Sequence, residues 1–226
     1  MTERGMIFNA EMVRALLSGR KTQTRREVKL NLDIACLATT YDWATSLAAN
    51  HYQGLTEEQI QQKAESLRGV IHPVILDNGQ MVSIICPHGK PGDRIWVRET
   101  WARYNIDQNS HDIAYRATTP ADWPEEGRWR PSIHMPRWAS RILLEITDVR
   151  VERLNAISEE DARAEGIIDG GCLNCGEPEP CGCANPEPDA TDAFAYLWQS
   201  IYGQENWNAN PWVWVISFER IEGGAA

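Results

Sequence analysis

One basic stretch interrupts an otherwise acidic chain: Gly19-Arg20-Lys21-Thr22-Gln23-Thr24-Arg25-Arg26. It follows the amphipathic run Glu11–Ser18, which predicts a short helix that Gly19 closes. The basic stretch then leaves that helix in extended form. It presents donors and positive charge to a phosphate or a nucleobase, and it sets an amine beside hydroxyls. The alternative interpretation is a solvated, charged segment without chemistry.

The net charge of -10 is concentrated in one part of the chain. Residues 157–192 hold ten acidic side chains against Arg163 alone. Residues 11–29, by contrast, hold six basic side chains against two acidic ones. An anionic partner would therefore meet a local basic patch rather than a whole basic face.

The length and the hydropathy pattern bound the class of protein. A chain of 226 residues is long enough to bury a substantial core. No run approaches the roughly 20 apolar residues of a membrane span. The first residues lack the basic-then-apolar order of a signal peptide. We therefore expect a cytoplasmic protein without a membrane partner.

Hydrophobic patterning predicts an α+β fold of short strands with peripheral helices. The longest expected strand is 141–153, and a capping box at Thr56–Gln59 begins a helix that runs to Leu67. Strands are expected at 5–9, 22–28, 81–86, 94–99, 113–116, 141–153 and 211–219. Together they predict a single domain built on a small, mostly closed β-barrel, with residues 31–80 as a helical insertion.

Four motifs together resemble the ASCH domain family, whose mixed β-barrel is related to the PUA fold, and most closely its longer phage and prophage members. They are GRKTQTRR at 19–26, GDRIWVRETW at 92–101, RPSIHMPRWASR at 130–141 and WVWVISF at 212–218. The resemblance covers residues 5–29, 86–157 and 191–220. It implies the PUA-like barrel and a role directed at RNA or at a modified nucleoside.

The resemblance also implies candidate catalytic residues. Small bacterial members of the family are amidohydrolases that remove the acetyl group of N4-acetylcytidine, and others are described as ribonucleases. Their lysine and threonine in a Gly-Arg-Lys-Thr-x-Thr element match Lys21 and Thr24. Their later glutamate best matches Glu165, on a short helix that follows the long strand.

Physical chemistry is consistent with amide hydrolysis at these residues. A threonine hydroxyl is a poor nucleophile until a neighbour takes its proton, and a lysine does so only when its pKa falls. Arg20, Arg25 and Arg26 supply cations that favour the neutral lysine. A carboxylate contacting Lys21 would have the opposite effect, so the sequence leaves the protonation state open.

Further candidates for substrate binding lie near the tryptophans. Glu99 could accept a hydrogen bond from the exocyclic amine of cytosine, or it could pair with an arginine. Trp138 lies between Arg137 and Arg141, an arrangement typical of a base-stacking shelf or of plain packing. The full predicted substrate-binding set is Arg20, Arg25, Arg26, Arg98, Glu99, Trp101, Arg137, Trp138 and Arg141.

The loop at 169–190 is rich in cysteine, glycine and proline. Four thiols within twelve residues suit a tetrahedral structural zinc, since disulfides are disfavoured in the cytoplasm. The predicted ligands are Cys172, Cys175, Cys181 and Cys183. A loop without metal is the alternative, and nothing in the sequence indicates an organic cofactor.

Three function classes follow from these patterns. The first is a hydrolase acting on RNA or on a modified nucleoside, through Lys21, Thr24 and Glu165. The second is a non-catalytic RNA-binding module, such as a phage factor that engages host RNA or a host ribonucleoprotein. The third is a protein-binding inhibitor that uses the acidic segment 157–192 as a nucleic-acid mimic.

Overall fold

A computed structural model describes residues 1–29, 33–51, 56–103, 113–124, 127–168 and 190–221. The strands are β1 Glu3–Ile7, β2 Gln23–Glu27, β3 Ile34–Leu37, β4 His72–Leu76, β5 Met81–Ile84, β6 Arg94–Arg98, β7 Trp101–Arg103, β8 Ile113–Tyr115, β9 Leu143–Arg153 and β10 Trp212–Ile221. The helices are α1 Ala10–Leu17, α2 Thr40–His51, α3 Glu57–Leu67, α4 Glu159–Ala164, α5 Ala190–Tyr202 and α6 Gln204–Ala209. None of the helices in these ranges is long and apolar enough to cross a membrane.

The largest sheet has five strands in the order β1-β6-β9-β10-β2. β1 runs parallel to β6, and every other neighbouring pair is antiparallel. The mixed α+β class is therefore confirmed. Within the described residues, however, β1 and β2 are both edge strands and no sheet closes on itself, so the predicted closed barrel is not observed. β1 and β2 do not pair with each other, and α1, which connects them, packs Val13 and Leu16 into the core.

The predicted helical insertion is also part sheet. It contains α2 and α3, and the capping box at Thr56 and Gln59 is confirmed. Strands β3, β4 and β5 form a separate antiparallel sheet around them, because β5 pairs with β4 rather than with the main sheet. Ile34, Val74 and Ile84 from this sheet are buried in the main core, which explains why the insertion has little core of its own.

The two faces of the main sheet carry different cores, and this division positions the site. Along β10, Trp214 and Ile216 point into the core that α1 covers. Val213 and Val215 point into a second core, formed with Phe194 and other residues of α5. Because side chains alternate along a strand, each residue of the neighbouring β2 is assigned to one face by its partner on β10.

Candidate functional site

Lys21 and Glu165 lie 144 positions apart in the sequence and meet in the interior. The Lys21 ammonium donates to the Glu165 Oε2 atom at 2.6 Å and to the Glu165 main-chain oxygen at 2.8 Å. Both side chains are almost fully buried, with exposed fractions of 0% and 4%. Two of the three residues that the resemblance selected thus form one buried ion pair.

The backbone brings the pair together through two turns. After α1, the Lys21 amide donates to the Ala15 carbonyl, so the chain folds back against the helix it has just left. On the other side, Ser158 caps the start of α4, and Glu165 is the C-cap residue that follows its last residue, Ala164. Gly166 follows with φ +89°, and a Cβ there would lie 2.8 Å from the Ala15 Cβ. Only glycine allows this close approach without strain.

The pKa of Lys21 is lowered below the ordinary lysine range. Burial is the largest cause, because the desolvated side chain disfavours its charged form. The Glu165 carboxylate opposes this shift, while Arg25 and Arg26 add to it. The effect of burial on the Lys21 pKa is therefore larger than the opposing effect of Glu165. Lys21 gives up its proton more readily than an ordinary lysine.

Arg25 lies inside the protein rather than on a substrate-facing surface. Its guanidinium contacts three carboxylates, those of Glu152 at 2.5 Å, Asp161 at 2.9 Å and Glu165 at 3.3 Å. It also donates to the Gln23 side-chain oxygen at 2.7 Å, and only 1% of the residue is exposed. Its predicted role in substrate binding is therefore replaced by a structural one: Arg25 fixes the carboxylate that holds Lys21.

Thr24 points away from the lysine. It is paired on β10 with Ile216, which belongs to the core beneath α1, whereas Arg25 is paired with Val215 of the other core. Its hydroxyl is fully buried and has no hydrogen-bond partner within the described residues. The structure consequently brings Lys21 and Glu165 together but leaves Thr24 on the opposite face of β2.

A cavity of about 480 Å³ reaches the buried pair from the Glu165 side. Glu165 and Gly166 line it together with residues of α1 and α5, including Met12 and Leu197. Arg20 also lines this cavity, where its guanidinium donates to the Gly166 carbonyl at 3.1 Å. Arg20 thus lies at the cavity, and its role in substrate binding stays a prediction.

Arg26 and Arg98 line a second cavity, also of about 480 Å³. Arg26 donates to the Ile7 carbonyl at 3.0 Å, and Arg98 donates to the Ser132 carbonyl at 3.2 Å. The two cavities share Met12 and other residues at the start of α1, so they are neighbours. Both arginines therefore remain candidates for contact with a ligand.

Glu99 and Arg141 form a salt bridge, the structural alternative that the sequence allowed. The Arg141 guanidinium donates to both Glu99 carboxylate oxygens, at 2.9 and 3.0 Å, and lies 3.9 Å from the centre of the Tyr115 ring. Glu99 is only 2% exposed, and burial raises its pKa. This bidentate pair orders the segment between β6 and β9.

The aromatic candidates lie in the same segment. Trp101 is 2% exposed and packs edge-to-face on Trp138, with ring centres 5.8 Å apart. Trp138 is half exposed, with the Arg103 guanidinium over its ring. Arg137 forms a salt bridge with Glu3 at 2.8 Å. Trp101 is thus a packing residue, while Trp138 keeps an accessible face.

Sequence reasoning missed several residues around the pair. Glu152 and Asp161 complete the carboxylate cluster around Arg25, and Gln23 bridges to it on the same strand face. The alternation of β2 could have indicated Gln23, because it lies two positions from Arg25. His88 and Tyr202, which line the Arg26 cavity, come from distant segments and carry no local signal.

The four predicted zinc ligands, Cys172, Cys175, Cys181 and Cys183, lie outside the described residues. Among the described residues, no group of three or more His, Cys, Asp or Glu side chains is arranged to hold a metal ion. The structural zinc therefore stays a prediction from the cysteine spacing.

Comparison with known proteins gives no relative. No family model, no curated protein and no solved structure matches this chain. The resemblance to the ASCH family therefore rests on the quoted motifs alone, and the function must be argued from the site.

Proposed function

We propose that this protein is a hydrolase that cleaves the amide of an N4-acylated cytidine-type substrate, either as a nucleoside or within RNA. The observation that carries the proposal is the buried Lys21–Glu165 pair, whose lysine has a lowered pKa and whose glutamate forms the wall of a cavity. Perturbed titratable groups at a cavity are typical of acid–base catalysis. The ASCH resemblance supplies the substrate class.

The two residues have different access to a ligand. Glu165 lines the cavity, whereas the Lys21 side chain lies behind it with no exposed surface. Glu165 is therefore the group that contacts the substrate, and Lys21 exchanges a proton with it across 2.6 Å. Arg25 holds the second Glu165 oxygen and so fixes the direction of the carboxylate. Thr24 has no role as nucleophile in this scheme, because it lies on the other face of the strand.

The proton balance is simple. A water molecule attacks the acyl carbonyl carbon, and the Glu165–Lys21 pair takes one of its protons. As the bond between carbonyl carbon and N4 breaks, the pair returns that proton to N4. The products are the free amine of the cytosine ring and a carboxylic acid, which ionises in solvent. A lysine with a lowered pKa suits this exchange because it releases its proton more readily than an ordinary lysine does.

The size of the cavity supports a ligand of nucleoside dimensions. Its volume of about 480 Å³ lies in the range of small-molecule sites, roughly 300 to 1,000 Å³. Its sides combine apolar groups, such as Met12 and Leu197, with the Arg20 guanidinium at hydrogen-bonding distance from the main chain. A planar base could pack on the apolar sides while its acylated amine faces Glu165.

Incubation of the protein with N4-acetylcytidine, followed by chromatographic detection of cytidine, tests the proposal. We expect turnover by the natural chain and a loss of about 100-fold or more in Glu165→Gln, the range for removal of an acid–base group. Glu58→Gln, an exposed substitution on α3, is the matched control and should keep full activity. Absence of turnover by the natural chain would overturn the hydrolase and favour the RNA-binding module.

A further inference from the structure

The cavity that Arg26 and Arg98 share differs from the rest of this acidic protein. Its lining includes these two arginines, His88, Asn9 and Tyr202, and among the described residues none that lines it is acidic. The remainder of the lining is glycine or apolar, with Ile7, Met12 and Ile201 among the apolar side chains. In a chain of net charge -10, such a cavity favours an anion.

The two arginines are held by neutral groups instead of carboxylates. Arg26 donates to the main-chain oxygens of Arg25 and Ile7, at 3.2 and 3.0 Å, and lies over the Phe8 ring. Arg98 donates to the Ser132 and Ile133 carbonyls and lies over the Trp96 ring. Within the described residues, neither arginine forms a salt bridge.

This pairing pattern sets them apart from Arg25 and Arg141. Arg25 and Arg141 both bind carboxylates, which neutralise their charge. Arg26 and Arg98 instead keep an uncompensated charge, and carbonyl contacts and ring packing fix their positions. Preorganised guanidinium groups without internal counter-ions are suited to bind phosphate oxygens.

Burial and the positive field act on His88 in the same cavity. Burial, the largest cause, and the positive charges of Arg26 and Arg4 together lower the pKa of His88 to about 4. His88 is therefore neutral at physiological pH and adds a hydrogen-bonding ring without changing the charge. Tyr202, at the end of α5, also lines this cavity; it is 37% exposed and offers an aromatic ring.

The arginine cavity lies beside the cavity at Glu165, since Asn9 and Met12 line both. A small cavity of about 20 Å³ is lined by Glu165, Arg26, Met12 and Tyr202 together. Met12 lines all three cavities. A single ligand could therefore place one end at Glu165 and an anionic group at the two arginines, passing Met12 between them.

We infer that Arg26 and Arg98 form a phosphate subsite, so that this protein binds a nucleotide more tightly than the corresponding neutral nucleoside. The identity of the base rests on the proposed function, but the subsite rests only on the charge and geometry of this cavity. A 5′-monophosphate and the phosphodiester of an oligonucleotide offer the same oxygens to the arginines.

Calorimetric titration with cytidine 5′-monophosphate and with cytidine tests the subsite without any hydrolysis. The natural chain should bind the monophosphate at least tenfold more tightly than cytidine. Arg26→Gln and Arg98→Gln should each reduce this preference, and Arg26→Lys should keep part of it. Arg68→Gln, at an exposed arginine of the insertion, is the matched control and should keep the preference.

The outcomes separate this inference from the proposed function. A preference for the monophosphate in a protein that does not hydrolyse N4-acetylcytidine would overturn the hydrolase and support the subsite. Equal binding of monophosphate and cytidine, or binding of neither, would overturn the subsite. A preference for the monophosphate over cytidine that persists in the double variant Arg26→Gln/Arg98→Gln would also overturn the subsite. A thermal melt of each variant checks that the fold is retained.

Discussion

Arg25→Met is expected to destabilise the protein by about 3 kcal/mol, the lower end of the range for breaking a buried ion-pair network from one side. Arg25 is the shared partner of Glu152, Asp161 and Glu165, and its side chain has no exposed surface. Without it, Lys21 and Arg150 must neutralise three carboxylates. Methionine fills much of the volume but leaves one negative charge uncompensated in a low-dielectric region. Urea unfolding followed by circular dichroism measures the change.

Arg68→Met is the control for this experiment. Arg68 is 76% exposed and makes only a long contact of 3.9 Å with Glu65 on the same helix end. Exposed pairs of this kind contribute little, so the substitution should change the free energy of unfolding by less than about 0.5 kcal/mol. If Arg25→Met were as mild as this control, the carboxylates would not depend on Arg25, and the structural role assigned to it would be wrong.

Lys21→Met is expected to lower the rate of N4-acetylcytidine hydrolysis by about 100-fold or more, because the proton exchange with Glu165 is lost. Methionine keeps the length and burial of the lysine side chain, and Arg25 still binds Glu165. The fold should therefore persist, which a thermal melt can verify. The initial rate of cytidine release is the measurement.

Lys63→Met provides the comparison for this loss. Lys63 is exposed on α3, away from the residues that line the cavity, so its substitution should leave the rate unchanged. A folded Lys21→Met variant with an undiminished rate would show that the buried lysine is structural. Glu165 alone, or another group, would then have to carry the chemistry.

Much of the local structure could be predicted from the sequence. Asn9 caps α1 and accepts a hydrogen bond from the Met12 amide, as its position before the amphipathic run indicated. The alternation of β6 places Ile95 and Val97 inside. These features depend on neighbours within a few positions, where capping and period-two patterns act directly.

Lys21 and Glu165 were both selected by the resemblance to the ASCH family, and no pattern of hydrophobicity or spacing in the sequence indicated that they pair. Nothing local in the chain indicates a contact across 144 positions. Alternation along β2 would have separated Thr24 from Lys21 and Arg25, and this physical signal was available in the sequence. The resemblance pointed to Thr24 instead, and the structure places it on the other face.

Neither the open form of the main sheet nor the burial of Arg25 could be predicted from the sequence, for a different reason. Both depend on which strands become neighbours, and neighbours such as β10 and β2 are nearly two hundred residues apart. Because Arg25 lies in a basic stretch of the sequence, it is expected to be a cation on the surface. It becomes a buried one because Glu152, Asp161 and Glu165 converge on it from β9 and α4.

The most direct test of the central claim is an NMR titration of the Lys21 side chain. The chain has four lysines, so the Lys21 signal can be assigned by its absence from the Lys21→Met spectrum. We predict that the pKa of Lys21 in the folded chain is lower than the pKa of the lysines in the urea-unfolded chain. Burial disfavours the ammonium form of Lys21 more than Glu165 favours it. The hydrolysis rate should rise with pH through the Lys21 pKa. A Lys21 signal that titrates at or above the unfolded value would contradict this account.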